Sequence, residues 1–516
     1  MSASTQASSG GQPALPVRNK TLLTVAVMGA SIVQILDSTI ANVAIPHMQS
    51  SLGATLDTIT WVLTSYIIAS AVAMPITGWL ADRVGSRNLF LASVIGFTIT
   101  SMLCGIAVNL TEMVVFRVLQ GICAAFIGPL SQTILLDINP PEKAPRAMAT
   151  WGMGIMVAPI FGPMIGGWLT ESYNWRWVFY INLPIGIPTI AILWWLLPSR
   201  PVVRRKLDGF GFAMLALGLA ALQLMLDRGQ HEDWFESWEI IVTLGVAIAA
   251  LWVFVVHSAT ARTTLFDRAL MRDRNFLTGL MFSMVIGLMM FGIFALLPPM
   301  LQNIYGYTVF DTGALLAPRG FGILIAMFAA TRLIAFVDPR WLIACGFTIT
   351  AGSMWMMTGW SIEMERGPII VAGLVQGFGM GMTFMPINVV SFSTLGMAQR
   401  TDGSSLLYLL RSLGGSLGIS LTTTALTRGI QVSHQEVGSH VTASSSAVID
   451  PSTADRWGPI GDAALRVVDL EVTRQAAMIA YLNDFKLMMI VVLCFMPLIL
   501  FMRPGRMGAP QAVPEH

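Results

Sequence analysis

The sequence predicts an all-α integral membrane protein of fourteen transmembrane helices, arranged as two bundles of six with two helices inserted between them. Three observations predict it. Charged residues make up only 11% of the 516-residue chain, against 55% hydrophobic. A soluble domain carries roughly 25% charge, and half of that cannot cover a water-facing surface of this size. The apolar residues also gather into stretches of about 20, the length that crosses a bilayer core as helix. Lipid offers the backbone no hydrogen-bond partner, so such stretches must be helical. Finally, several features recur at an offset of eight stretches, which leaves the seventh and eighth without a counterpart.

The first six spans fall at residues 22–45, 58–79, 89–107, 113–134, 147–169 and 177–197. An inserted pair follows at 208–227 and 239–257, and the last six lie at 276–300, 312–335, 341–360, 367–391, 403–427 and 477–502. The expected domains are a first bundle at 22–197, the inserted helices at 208–257 and a second bundle at 276–502 containing an external loop at 429–476. Tails at 1–21 and 503–516 flank them. The leading tail is rich in Ser, Gly, Gln and Pro and lacks the apolar core of a signal peptide.

Orientation follows from lysine and arginine in the loops. With both termini in the cytoplasm, the inner segments hold 19 Lys and Arg and the outer ones 7. A net charge of +2 gives no reason to expect nucleic acid as a partner, and the four cysteines all lie in apolar spans without metal-ligand spacing. There is no Gly-x-x-x-x-Gly-Lys-Ser/Thr phosphate loop, so ATP is not expected as the energy source. The six histidines do not cluster, and neither an enzyme nor a bound cofactor or metal is expected.

The repeat is read from three weak matches. Gln120-Gly121 precedes Pro129 in span four, and Gln376-Gly377 precedes Pro386 in span twelve. Gly162-Pro163 and Gly166-Gly167 in span five correspond to Gly414-Gly415 and Gly418 in span thirteen, and the loop after span two can be laid on the loop after span ten, Arg87 on Arg340. Repeated halves of six helices are a transporter signature.

Asp37 is the sharpest single residue. It lies about eight residues inside the outer end of span one, roughly 12 Å deep at 1.5 Å per residue. A carboxylate there costs about 2.5–3.5 kcal/mol to insert, and a residue so expensive reads as functional. Burial favours the protonated form of an acid, and a positive neighbour favours the charged form. Arg117 lies about five residues inside span four, roughly 8 Å deep. Opposite charge at similar depth makes the two expected partners, and moving them apart and together would tie proton affinity to conformation.

Several segments carry a family resemblance. They are GWLADRVGSRNLF at 78–90, LDSTIANVAIP at 36–46, RVLQG at 117–121, APIFGPMIGGWL at 158–169 and LDRG with DWF at 226–235. Together they resemble the fourteen-span drug/proton antiporters of the major facilitator superfamily, of the EmrB type, over all fourteen spans. The resemblance implies a cytoplasmic gate motif at Gly78, Asp82, Arg83, Gly85 and Arg87. Its second copy is degenerate, with Ala335 in the place of Asp82. It implies a proton-coupling role for Arg117, and an antiporter motif at Pro159, Gly162, Pro163, Gly166 and Gly167. Asp484 sits where the family often has polar residues, and reads either as a second proton site or as an outer-interface residue. Asn42, Gln120, Arg319, Gln376 and Arg411 are possible cavity residues, with Pro318 breaking the helix beside Arg319.

The activity implied is proton-driven export of small lipophilic or amphipathic drugs, often weakly acidic, by alternating access. The implied partners are a periplasmic adaptor of the EmrA type and, through it, an outer-membrane channel of the TolC type. The alternatives are a stand-alone exporter releasing into the periplasm and a membrane sensor that does not transport.

Overall fold

The computed structural model describes residues 15–140, 143–200, 202–203, 205–230, 232–440 and 458–502. Fourteen long helices account for most of them. In the first half these are α1 (Lys20–Ser51), α2 (Trp61–Val84), α3 (Ser86–Ile106), α4 (Leu110–Ile138), α5 (Ala144–Ser172) and α6 (Trp177–Leu196). Next come α7 (Gly209–Arg228) and α8 (Trp238–Thr260). The second half comprises α9 (Arg274–Asn303), α10 (Val309–Leu333), α11 (Pro339–Met357), α12 (Arg366–Ser393), α13 (Arg400–Ser439) and α14 (Gly458–Phe495).

Side chains just outside the apolar runs start many of these helices. Asn19, Asn109, Asp208, Asp273 and Thr308 each accept a backbone N–H of the first turn, as good N-cap residues do. Gly85 separates α2 from α3 at φ 93°, a conformation that suits glycine. Pro75 tightens α2 into a short 3₁₀ turn at Met74–Ile76.

Among the described residues, eleven helices are long and apolar enough to cross a membrane. The other three long helices are α5, α11 and α13, which stand in the places of expected spans five, eleven and thirteen. Helix α13 is rich in glycine, serine and threonine, with a Ser-Leu-Gly-Gly-Ser core, and α11 begins on Pro339 and Arg340. The three form tight contacts with α1, α12 and α9, respectively.

Packing repeats at the offset of eight. The pairs α1–α5, α2–α4, α3–α4, α3–α6 and α1–α6 of the first bundle recur as α9–α13, α10–α12, α11–α12, α11–α14 and α9–α14. Helices α7 and α8 pair with each other, and α7 also lies against α2 and α13. Its bonds reach both bundles: Thr64 of α2 donates to Asp227, and Gln223 donates to Ser416 of α13 at 2.8 Å. Helix α8 buries only Ile240, Ala247 and Ala250 and turns Trp238, Ile248 and Trp252 outward.

The helix ends depart from expectation on the hairpin side. The segment expected as an external loop at 429–476 is helical on both described flanks: α13 continues to Ser439 and α14 begins at Gly458. Both helices outrun the bilayer core, being about 60 and 57 Å long at 1.5 Å per residue. They stay paired there, with Gly429 close to Ala480 and His434 3.2 Å from Asp469. This end of the molecule is called the hairpin end below, and the opposite one, where residues 199–208 run from α6 to α7, the linker end.

Candidate functional site

Asp37 is fully buried and accepts three hydrogen bonds. Arg117 Nη1 reaches its Oδ2 at 2.7 Å, while Gln120 Nε2 and Asn182 Nδ2 reach Oδ1 at 2.9 and 2.7 Å. The donors come from α4 and α6, so one carboxylate on α1 ties three helices together. Arg117 is as buried as its partner. It also donates to Gln120 Oε1 at 2.8 Å and to the Val62 carbonyl of α2 at 2.9 Å, and its guanidinium lies 4.3 Å from the Tyr66 ring centre. Asn182 donates in turn to Ser101, which donates to the Phe179 carbonyl. A buried ion pair is tolerable only when such further bonds satisfy most of its remaining atoms; here Arg117 Nη2 and Asn182 Oδ1 are left without a partner among the described residues.

Helix α5 has two working faces. A Cβ on Gly162 would sit 2.2 Å from Thr39 Oγ1 and one on Gly166 would sit 2.9 Å from Ile40, so these glycines let α1 approach closely. Pro159 and Pro163 look the other way, into an apolar cavity shared with α9, α10 and Met380 of α12. The cavity together with the space at its open mouth amounts to about 630 Å³. Gly167 abuts Val309 of α10, so α5 and α10 form one seam between the two halves.

A lock of charges closes the linker end. Arg205 donates to both carboxylate oxygens of Asp402 at 2.7 and 2.9 Å and lies 3.2 Å from Asp82. Burial works against its charge, but the bonds to Asp402 and the charges of Asp402, Asp82 and Asp267 outweigh it and raise its pKa. The Asp82 carbonyl accepts the Val203 N–H, and Trp79 Nε1 donates to the Arg205 carbonyl. Beside it, Arg200 and Arg400 both pair with buried Asp137. Gly78 is required here: a Cβ would lie 1.6 Å from Asp402 Oδ1. Arg87 donates to the Trp194 carbonyl at 2.7 Å, whereas Arg83 lies over Trp79 at the surface.

The remaining expected residues are scattered. Gln120 belongs to the Asp37 network and is not among the residues lining the cavity between α5, α9 and α10. Gln376 is fully buried, and its amide has no partner among the described residues. Asn42 is exposed and bonds back to the Ser38 carbonyl. Arg319 is buried in the cavity wall, 4.6 Å from the Phe294 ring centre. Arg411 is buried against Phe384 and Tyr408, with Ser283 and Asn388 oxygens at 3.5 Å. Asp484 is 2% exposed, and its Oδ2 has no partner among the described residues.

Sequence reasoning missed Asn182, which sits in an apolar run with nothing beside it to suggest a polar partner. It also missed Asp137 and Asp402 as acids, and treated Arg200 and Arg205 only as inner-side charges. Lone acids at the ends of spans, facing an arginine-rich linker, were the available signal.

Repeated six-helix halves, a buried charge network in the first half and a charge lock on one face define a membrane transporter rather than an enzyme. The Major Facilitator Superfamily model matches residues 27–419. The chain is 40% identical to the multidrug export protein EmrB of Haemophilus influenzae over 81% of its length and 83% of that protein. It is 36% identical to the fatty acid resistance protein FarB of Neisseria gonorrhoeae, covering 92% and 94% of the two chains. Among solved structures it is similar to the human organic anion transporter MFSD10, with a TM-score of 0.56, 13% identity and coverage of 92% and 99%. The chain therefore belongs to the Major Facilitator Superfamily, among the export proteins of the EmrB type.

Proposed function

We propose that the protein exports small lipophilic and amphipathic compounds in exchange for protons, by alternating access, from the inner membrane of a bacterium. The linker end then faces the cytoplasm, as its lysine and arginine excess requires, and both termini lie there. The domain bounds 22–197, 208–257 and 276–502 fit the repeated packing.

The observation that carries this reading is the sealed Asp37 network. Its carboxylate form accepts from Arg117, Gln120 and Asn182 at once. Protonation removes the attraction of Arg117 and one acceptor position, which frees α1 from α4 and α6. Helix α1 is seated on α5 through Gly162 and Gly166, and α5 meets α10 across the seam. A proton taken up at Asp37 thus has a packed route to the contact between the halves. Asp82 and Arg205 supply the opposing device, holding the cytoplasmic side shut while the outer side loads or releases.

EmrB-type resemblance extends the reading to a three-part pump, with an EmrA-type adaptor in the periplasm and a TolC-type channel beyond it. The α13–α14 hairpin, which rises past the bilayer core, offers such an adaptor a footing. The core of the proposal is tested in everted vesicles. Acidifying the lumen is expected to drive accumulation of a lipophilic dye in vesicles containing the protein. Equal accumulation in vesicles lacking it, or accumulation that needs ATP rather than the gradient, would contradict antiport.

A further inference from the structure

We propose that the cavity between α5, α9 and α10 is an anion site, in which Arg319 receives the deprotonated acid group of a lipophilic compound whose body lies against Pro159, Pro163 and Phe294. This deepens the export reading and rests on it. The two halves treat their buried cations differently. Arg117 has Asp37 at 2.7 Å. The recorded contacts of the Arg319 guanidinium are the Met380 sulfur at 3.2 Å and the Phe294 ring, and its Nε has no partner among the described residues. Yet the side chain is only 3% exposed. A guanidinium so placed without a counter-ion is costly, more so than one at a surface.

The surroundings fit an amphipathic acid. Thr312 shares the cavity, is 3% exposed, and its hydroxyl also lacks a partner among the described residues. Thr312 and Arg319 are seven residues apart, so they lie on one face of α10 with about 10 Å between them. The cavity begins near Val309 at the hairpin end and continues past Arg319 to Ile323. Along α10 that is a slot of about 20 Å, apolar apart from Thr312, Arg319 and Gln302. A carboxylate matches the planar donors of arginine with two parallel bonds. A neutral amide of the same shape cannot supply the missing charge.

The test measures binding of radiolabelled 2-naphthoate and 2-naphthamide to the full chain in nanodiscs at pH 7. Wild type is expected to prefer the acid by about tenfold or more, since truncating one side of a buried charge pair costs at least that. Arg319→Gln should erase the preference while amide binding reports that the cavity is intact. Equal binding of the two ligands by wild type, or an undiminished preference in Arg319→Gln, overturns the proposal. Where Arg319→Gln fails to fold, Arg319→Lys decides: a preference weakened severalfold supports the site, and an unchanged one overturns it. Proton-driven transport of 2-naphthamide by wild type is measured separately. If wild type also fails to accumulate the lipophilic dye of the vesicle assay under the pH gradient, the export reading falls, while the acid preference is still judged by binding alone.

Discussion

Asp37 shows how one residue gains a function from its neighbours. An isolated acid in a lipid span is a liability, but three donors are fixed around it on α4 and α6, and in the proposed function they make it the point where proton binding changes helix packing. Asn182 is the donor that tests this. Removing a bond to a charged group costs about 1.5–3 kcal/mol. Asn182→Leu takes away one of the three donors to the Asp37 carboxylate and is expected to slow gradient-driven efflux severalfold while insertion is unchanged. Initial efflux rates at matched protein check it, and a wild-type rate would remove Asn182 from the coupling. The Asp37–Arg117 contact was legible in the sequence because charge in a lipid span is rare and depth can be counted along a helix. Asn182 was not, because an amide among apolar residues acquires its meaning only from the helix that faces it. Arg205 was hidden for the opposite reason: in a linker with Arg200, Arg204 and Lys206, the positive-inside bias accounts for every charge equally well.

Individual helices are shaped by what must pass close to them. Gly78 on α2 is the clearest instance, since the Asp402 carboxylate occupies the space of its Cβ. Gly78→Ala is expected to keep the lock from closing. Spin labels at Asn88 and Ala398, in a chain without its native cysteines, should then show a longer and broader distance than in the parent. An unchanged distance distribution would mean that the lock tolerates the methyl group. Arg205→Ala should move the same distance in the same direction, because α2 and α13 would lose their shared cation. Most helix positions were legible from hydropathy alone. The hairpin-end extension of α13 was not, because hydropathy finds where a helix crosses lipid and is silent on where it continues into water; that of α14 was expected as helix from Asp462 onward, and α14 begins at Gly458. Glycine-rich and hydroxyl-rich α5 and α13 were recognised by their place in the repeat more than by their own apolarity.

The whole molecule couples two seams that are built differently. At one, α5 and α10 touch directly beside the cavity; at the other, α13 packs directly on α2 and α4, and α7 lies against both α2 and α13, bonding to them through Asp227 and Gln223. The inserted pair therefore rides on a joint that must change as the halves rock. Gln223→Leu should weaken its hold on α13 and slow transport severalfold without altering insertion, measured as initial efflux rate at equal protein. A rate equal to wild type would make α7 a passive passenger. The central claim, however, is that Asp37 converts a proton gradient into uphill export. Purified wild type and Asp37→Asn, each in proteoliposomes at matched density, should be compared with and without an imposed pH gradient. Wild type is predicted to concentrate a lipophilic substrate against its gradient, whereas Asp37→Asn inserts normally but brings it no further than equilibrium. Uphill accumulation by Asp37→Asn at the wild-type level would contradict the account.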